Sequence, residues 1–244
     1  MSLDADVVRY LELVAELGGP ELYLDTLERD EALSLAMTPR PARRRAIRPP
    51  AAGNEAARRL AVLTDLANRA STCQLCGLHA GRSTVVFGEG DPDADLVVVG
   101  EAPGQEEDRT GRPFVGRAGR LLDLLLMSVG FARSTVYICN VLKCRPPDNR
   151  NPQPDEIEAC TTNYLHAQLA AVAPRAILAV GRFAVQSLLS TDQAIGRLRG
   201  RLHAYRGIPV VVGYHPAYLL RSPNMVRTAW SDFQLLRTVL DEQA

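Results

Sequence analysis

The chain has 244 residues, of which 46% are hydrophobic, enough for one substantial domain with an appendage or for two small ones. Lys plus Arg and Asp plus Glu balance at 28 each, so bulk charge by itself points to no nucleic-acid partner. No apolar run reaches the length of about 18 residues that a membrane-spanning helix needs, and the N-terminus MSLDADVVRY has no basic-then-apolar signal pattern, which sets the expectation of a cytoplasmic protein.

Helical spacing of apolar residues predicts helices over 4–17 and 21–37, followed by a Pro-, Arg- and Ala-rich linker over 38–53 and a further helix over 54–70. These segments form an expected N-terminal helical extension, residues 1–70, ahead of a main domain over 71–244. From residue 73 onward the pattern changes. Short Val- and Ile-rich runs at 96–100, 136–141, 176–181 and 209–214 read as strands buried on both faces. Helical stretches over 118–129, 154–172, 182–189 and 228–241 alternate with them. The expected fold is α/β, a three-layer αβα arrangement around a central four-stranded parallel sheet. In such sheets ligands bind beyond the carboxyl ends of the strands, so the segments that follow the strands are where chemistry is sought.

The first strand leads into GEAPGQEEDRTGRPFVGRAG, residues 100–119, with five glycines and two prolines. Its backbone can approach a ligand closely, and Glu101 stands at the strand end. Glu106, Glu107 and Asp108 read as a solvated acidic turn. The spacing matches neither a dinucleotide fingerprint nor a phosphate loop. The second strand ends at Asn140, whose amide can both donate and accept at the edge of a base. It continues as VLKCRPPDNRNPQPDE. The fourth ends in HPAYLLR, where His215 is a candidate proton or hydrogen-bond donor. Over residues 139–227 there are eleven Lys and Arg against five Asp and Glu, and Lys143 is the only lysine of the chain. Arginine's planar fork suits phosphate oxygens.

Five cysteines in a chain of this kind read as metal or redox ligands rather than as a disulfide framework. Cys73 and Cys76 form C-x-x-C, and Cys144 and Cys160 complete a possible set of four, which suits either a tetrahedral zinc or a [4Fe–4S] cluster. Cys139 lies within an apolar strand and reads as a core thiol.

Taken together and in order, the three segments GEAPG…GRPFVGRAG, N-x-x-KCRPP…NR and HPAYLLR resemble the family 4 (iron–sulfur) uracil-DNA glycosylases, over residues 72 to about 240. The resemblance implies an enzyme of base excision repair that flips uracil out of DNA and hydrolyses its glycosidic bond. It assigns catalytic roles to Glu101 and His215 and uracil contacts to Gly100, Ala102, Phe114 and Asn140. It also implies a [4Fe–4S] cluster on Cys73, Cys76, Cys144 and Cys160, holding Lys143, Arg145 and Arg150 beside the site. DNA contacts are expected from Leu219, Leu220, Arg221, Lys143 and Arg145, with one of the two leucines entering the space left by the base. Position 102 is Ala where some related families carry a catalytic Asp, and position 105 is Gln where close relatives often carry Glu. The expected partner is uracil-containing DNA, single- or double-stranded, bound by a monomer; residues 1–70 either dock a repair or replication partner or form a tail. A covalent histidine trap is disfavoured, because residues 145–154 contain no histidine. Glu101 argues against the broader-specificity branch. A non-catalytic iron–sulfur DNA-binding protein would keep the cysteines without needing Glu101, Asn140 and His215 at three strand ends.

Overall fold

The computed structural model describes residues 53–242. The helices expected over 4–17 and 21–37 and the linker up to residue 52 lie outside the described residues. The described chain opens with α1 (Gly53–Ser71) and continues through β1 (Glu89–Gly90), β2 (Leu96–Gly100), α2 (Gln105–Thr110) and α3 (Arg117–Ser128). Next come β3 (Tyr137–Asn140), α4 (Pro154–Cys160), α5 (His166–Val172), β4 (Ala176–Val180) and α6 (Arg182–Leu189). The short α7 (Ile195–Leu198), β5 (Leu202–Tyr205), β6 (Ile208–Gly213), α8 (Pro216–Arg221) and α9 (Val226–Glu242) complete it.

Six strands form one sheet in the order β1-β3-β2-β4-β6-β5. The four strands expected from sequence make its parallel centre. Two short strands, β1 and β5, pair antiparallel at the edges and extend the expected arrangement. They escaped the sequence reading because they lack an apolar run: β1 has two residues, and Leu202 and Ala204 of β5 are exposed.

Every residue of β2, β3 and β4 is buried, as follows when helices cover both faces. Val97 and Val99 of β2 join Ile177, Ala179, Val210 and Val212 in a cluster with α1, α5 and α6. On the other face α9 packs on β4 and β6, and α8 packs on α3. No helix among the described residues is long and apolar enough to cross a membrane.

Residues 154–172 are one helical rod with an insertion. Gln153 and Glu156 form a capping box at its start, and a π turn over Thr161–Leu165 separates α4 from α5 directly after Cys160. Such turns cluster at functional sites.

The helix assigned from sequence to the N-terminal extension belongs to the folded core. Leu63, Leu66 and Ala70 of α1 are buried in the cluster, and Arg59 donates to Val172 O at 2.6 Å and pairs with Asp93 at 3.0 Å. A boundary at residue 70 would cut this packing, so the extension ends ahead of α1. Truncating Leu66 to Ala removes a side chain that is 4% exposed; a loss of about 2–4 kcal/mol is expected, read as a lower midpoint in chemical denaturation.

Candidate active site and cysteine cavity

The parallel register sets Gly100 opposite Asn140. The ladder runs two bonds further, Val141 N–H to Gly100 O at 2.9 Å and Leu142 N–H to Glu101 O at 3.0 Å. A Cβ at Gly100 would lie 2.5 Å from Cζ of Phe114 and would also collide with Oδ1 of Asn140. Glycine keeps that gap open. Asn140 is 1% exposed, yet its Oδ1 has no hydrogen-bond partner. A buried acceptor left unpaired costs about 1–3 kcal/mol, and a donor arriving with a ligand would remove that cost.

Phe114 bounds the same gap. Its φ of 50° lies in the left-handed region, which a bulky residue occupies only when its surroundings hold it there. Glu107 accepts from the N–H groups of Val115 and Gly116, both at 2.9 Å. Arg133 donates to Phe114 O at 3.0 Å and is itself held by Glu89 at 2.7 Å and Asp123 at 3.0 Å. The turn over 106–108 is therefore only partly the solvated acidic turn expected. Glu106 faces solvent, but Asp108 is buried and accepts from Ser83 N–H at 3.0 Å. The backbone donors of neighbouring loops draw the two carboxylates of Glu107 and Asp108 inward.

His215 leaves β6 as the N-terminal cap of α8, and its Nδ1 accepts from Ala217 N–H at 3.1 Å. That bond leaves the ring proton on Nε2. The ring lies 5.7 Å from that of Phe114, centroid to centroid. Behind it Gly181, at the end of β4 with φ of 92°, lets the histidine close in: a Cβ there would meet His215 Cδ2 at 3.1 Å. Burial pulls the imidazole from 6.5 down to about 4; Arg221 acts in the same direction and Glu107 opposes it. The side chain is a neutral donor at neutral pH. Glu101, half-buried at the end of β2, is raised above the usual carboxylate range by burial, and Arg182 partly offsets the shift. Ala102 follows it, half-buried against the core. Glu107, Arg133 and Gly181 are positioning residues that motif reading passed over, since their partners lie on distant loops.

The second feature is a cavity lined by Cys73, Cys76, Cys144 and Cys160, with Arg82, Lys143 and Tyr164 among its other walls. Arg82 donates to Cys73 O at 2.8 Å and to Cys144 Sγ at 3.4 Å. Cys139, fully buried in β3, is not part of the lining. Among the described residues no group of three or more His, Cys, Asp or Glu side chains gathers closely enough to hold a single metal ion. Burial raises the thiols of Cys76, Cys144 and Cys160, the last to about 11. A metal centre here would have to displace thiol protons as it loads.

Two residues expected on the DNA-facing surface are not on it. Lys143 is 1% exposed and donates to Asn140 O at 2.6 Å, because the turn after β3 aims it at the cysteine cavity. Leu219 is fully buried, and its helix α8 packs against α3. Leu220 is half-buried and Arg221 exposed beside it, while Arg145 is half-buried and bonded to Asn149. Arg150 pairs with Glu156 at 2.6 Å.

In an NMR titration, His215 is expected to protonate with a midpoint near 4 and to show the Nε2–H tautomer above it. Since the folded value lies below the unfolded one, its contribution to stability falls as pH drops from 6.5 towards about 4. A midpoint near 6.5 would mean that the ring is not desolvated.

The family model described as the uracil DNA glycosylase superfamily matches residues 87–234. A type-4 uracil-DNA glycosylase of Thermotoga maritima is 46% identical over 182 residues, 73% of this chain and 94% of that protein. One from Archaeoglobus fulgidus is 42% identical over 180 residues, 70% of this chain and 90% of its own length. One from Sulfurisphaera tokodaii is 40% identical over 175 residues, 68% and 79% of the two chains. The matched span takes in the strand ends that carry Gly100, Asn140 and His215, and on this coverage the chain belongs to the uracil-DNA glycosylase superfamily, among its type-4 members.

Proposed function

We propose that the chain excises uracil from DNA by hydrolysing the bond between the base and its sugar, leaving an abasic site. The observation that carries this reading is the unpartnered, buried Oδ1 of Asn140 in a gap bounded by Phe114 and kept open by Gly100. Paired uracil is out of reach, so it must first leave the stack, at a cost of a few kcal/mol. Phe114 offers the extruded ring a stacking face. Asn140 accepts from N3–H through Oδ1 and donates to O4 through its amide nitrogen. Cytosine presents the opposite pattern and would leave buried groups unpaired, which is how such a site discriminates.

As the bond breaks, its electron pair moves onto the base. Nε2–H of His215 donates to O2 as charge grows there, and a neutral donor in a dry site stabilises it without reorganisation. Glu101 orients the water that adds to C1′ and favours the positive charge developing on the sugar. The water supplies hydroxide to C1′, and its proton balances the departing uracil anion. Burial raises the Glu101 carboxyl, and the positive charge of Arg182 partly offsets that rise. Leu220 and Arg221, beyond the buried Leu219, are the wedge and backbone contact of this reading.

Four thiols around one cavity suit a [4Fe–4S] cluster held by Cys73, Cys76, Cys144 and Cys160. The preference for a cluster over a single tetrahedral zinc, which four thiolates also suit, rests on kinship with the type-4 enzymes. Bound there, the cluster would supply a rigid tie between three chain segments rather than chemistry at the uracil. The compartment is taken to be the cytoplasm and the substrate uracil-containing DNA in either strand form.

Incubation with a uracil-containing single-stranded oligonucleotide followed by alkali is expected to cut the strand at the uracil. His215→Ala and Glu101→Gln should each lower the rate by about 100-fold or more, and Gly100→Ala should abolish cutting while the protein stays folded. No cutting by the unaltered protein would sink the enzyme reading. The rate should fall on the acid side with a midpoint above 4.5, because Glu101 acts ionised and burial raises it. Glu101→Gln should remove that limb. Metal analysis of anaerobically purified protein is expected to give about four iron and four sulfide per chain; zinc in their place would overturn the cluster.

A further inference from the structure

Lys143 links the two features described above. It is one of the largest fully buried side chains and a wall of the cysteine cavity. Its Nζ donates to Asn140 O at 2.6 Å and lies 5.8 Å from the ring centroid of Phe87. Among the described residues no carboxylate pairs with it; the acidic groups that face it are the thiols of Cys139, Cys144 and Cys160. Its own backbone is tied on both sides, with its carbonyl accepting from Val86 N–H at 2.8 Å and its N–H bonded to the sulfur of Cys160.

An ammonium removed from water is costly unless an opposite charge or several acceptors compensate it. One carbonyl and one ring face fall short of that. The missing anion is supplied if the four cysteines act as thiolates, since four of them bring more negative charge than a cluster core neutralises. The same ammonium then holds the carbonyl of Asn140, whose side-chain Oδ1 stands buried and unpaired beside Gly100 and Phe114. We infer that Lys143 is the internal counter-ion of the cysteine-bound centre and the positioning residue through which that centre holds Asn140 in place. This inference rests on the cluster reading given above and assigns no DNA contact to Lys143.

Two variants test it in the full chain purified without air. K143M keeps the length and volume of the side chain and removes both charge and donor. K143Q removes the charge and keeps a neutral donor, and guards against a collapse of K143M. Folding of each is checked by circular dichroism. Both are expected to release iron to a chelator about 10-fold to 100-fold faster than the unaltered protein, the usual size of an effect from a group behind the ligands. In whatever cluster remains, the reduction potential should move to more negative values, because a nearby cation favours the more negatively charged reduced state. Normalised to iron content, KM for a uracil-containing oligonucleotide should rise about tenfold in K143M with kcat much less affected. A merely space-filling role would shift neither the potential nor KM.

Either variant, folded and with iron retention, potential and KM all as in the unaltered protein, overturns the inference alone. Unaltered protein that holds no iron overturns the cluster reading and this inference with it. The two failures are therefore distinguishable.

Discussion

Gly100 pairs with Asn140 across β2 and β3, and Val180 pairs with Gly213 across β4 and β6. With the β2–β4 register, Val99 opposite Ala179, these pairings set the carboxyl ends of four parallel strands side by side, so the residues just beyond them, Glu101, Val141, Gly181 and His215, emerge at one edge of the sheet. A slip of one residue in β3 would turn Asn140 to the opposite face and fill the gap with Cys139 or Val141. The burial of both faces of the sheet specifies the register, so the packing of the core is also what assembles the site.

Around that edge the chain spends its ionic groups on placing uncharged ones. Glu107 on one side, and Arg133 backed by Glu89 and Asp123 on the other, both end on the backbone of the loop carrying Phe114. Ala217 N–H assigns the tautomer of His215, and burial keeps it neutral. On the proposed function, the groups that would meet the base are an amide, a ring and a neutral imidazole, the ring and the imidazole held by neighbouring backbone and ionic groups. Such preorganisation places donors and acceptors before substrate arrives, and it is what lets modest hydrogen bonds act strongly in a site of low dielectric.

The cysteine cavity joins parts of the chain that are far apart in sequence. Cys73 and Cys76 follow α1, Cys144 follows the turn after β3, and Cys160 ends α4 just ahead of the π turn. Tyr164, brought round by that turn, lines the cavity too. A centre bound here, as proposed, would fasten α1 and α4 to the loop that follows β3. Arg59 and the buried leucines of α1 secure the same helix from its other end, which explains why a segment that looked like an appendage is part of the fold.

Much of this was legible in the linear chain, and the limits have a physical cause. Unbroken Val and Ile runs announce strands buried on both sides, and alternation with helices implies a parallel sheet; those patterns are local and survive without any knowledge of contacts. Glu101, Asn140 and His215 were recognisable because each stands at or just beyond the end of such a run. The edge strands left no signal, since two residues, or a strand with exposed apolar positions, carry no periodicity. Side-chain direction was also hidden. Lys143 and Leu219 read as surface residues by their type and neighbourhood, but a cation turns inward when a cavity of thiols offers it an environment, and a leucine turns inward when its helix packs against the fold. The inward turn of Glu107 and Asp108 likewise depends on backbone donors eight to twenty-five residues away. Sequence determined the elements and the chemistry at their ends, because these depend on near neighbours along the chain. Only the tertiary structure decided which side chains meet, because burial and pairing energies are set by groups that distance in sequence does not relate.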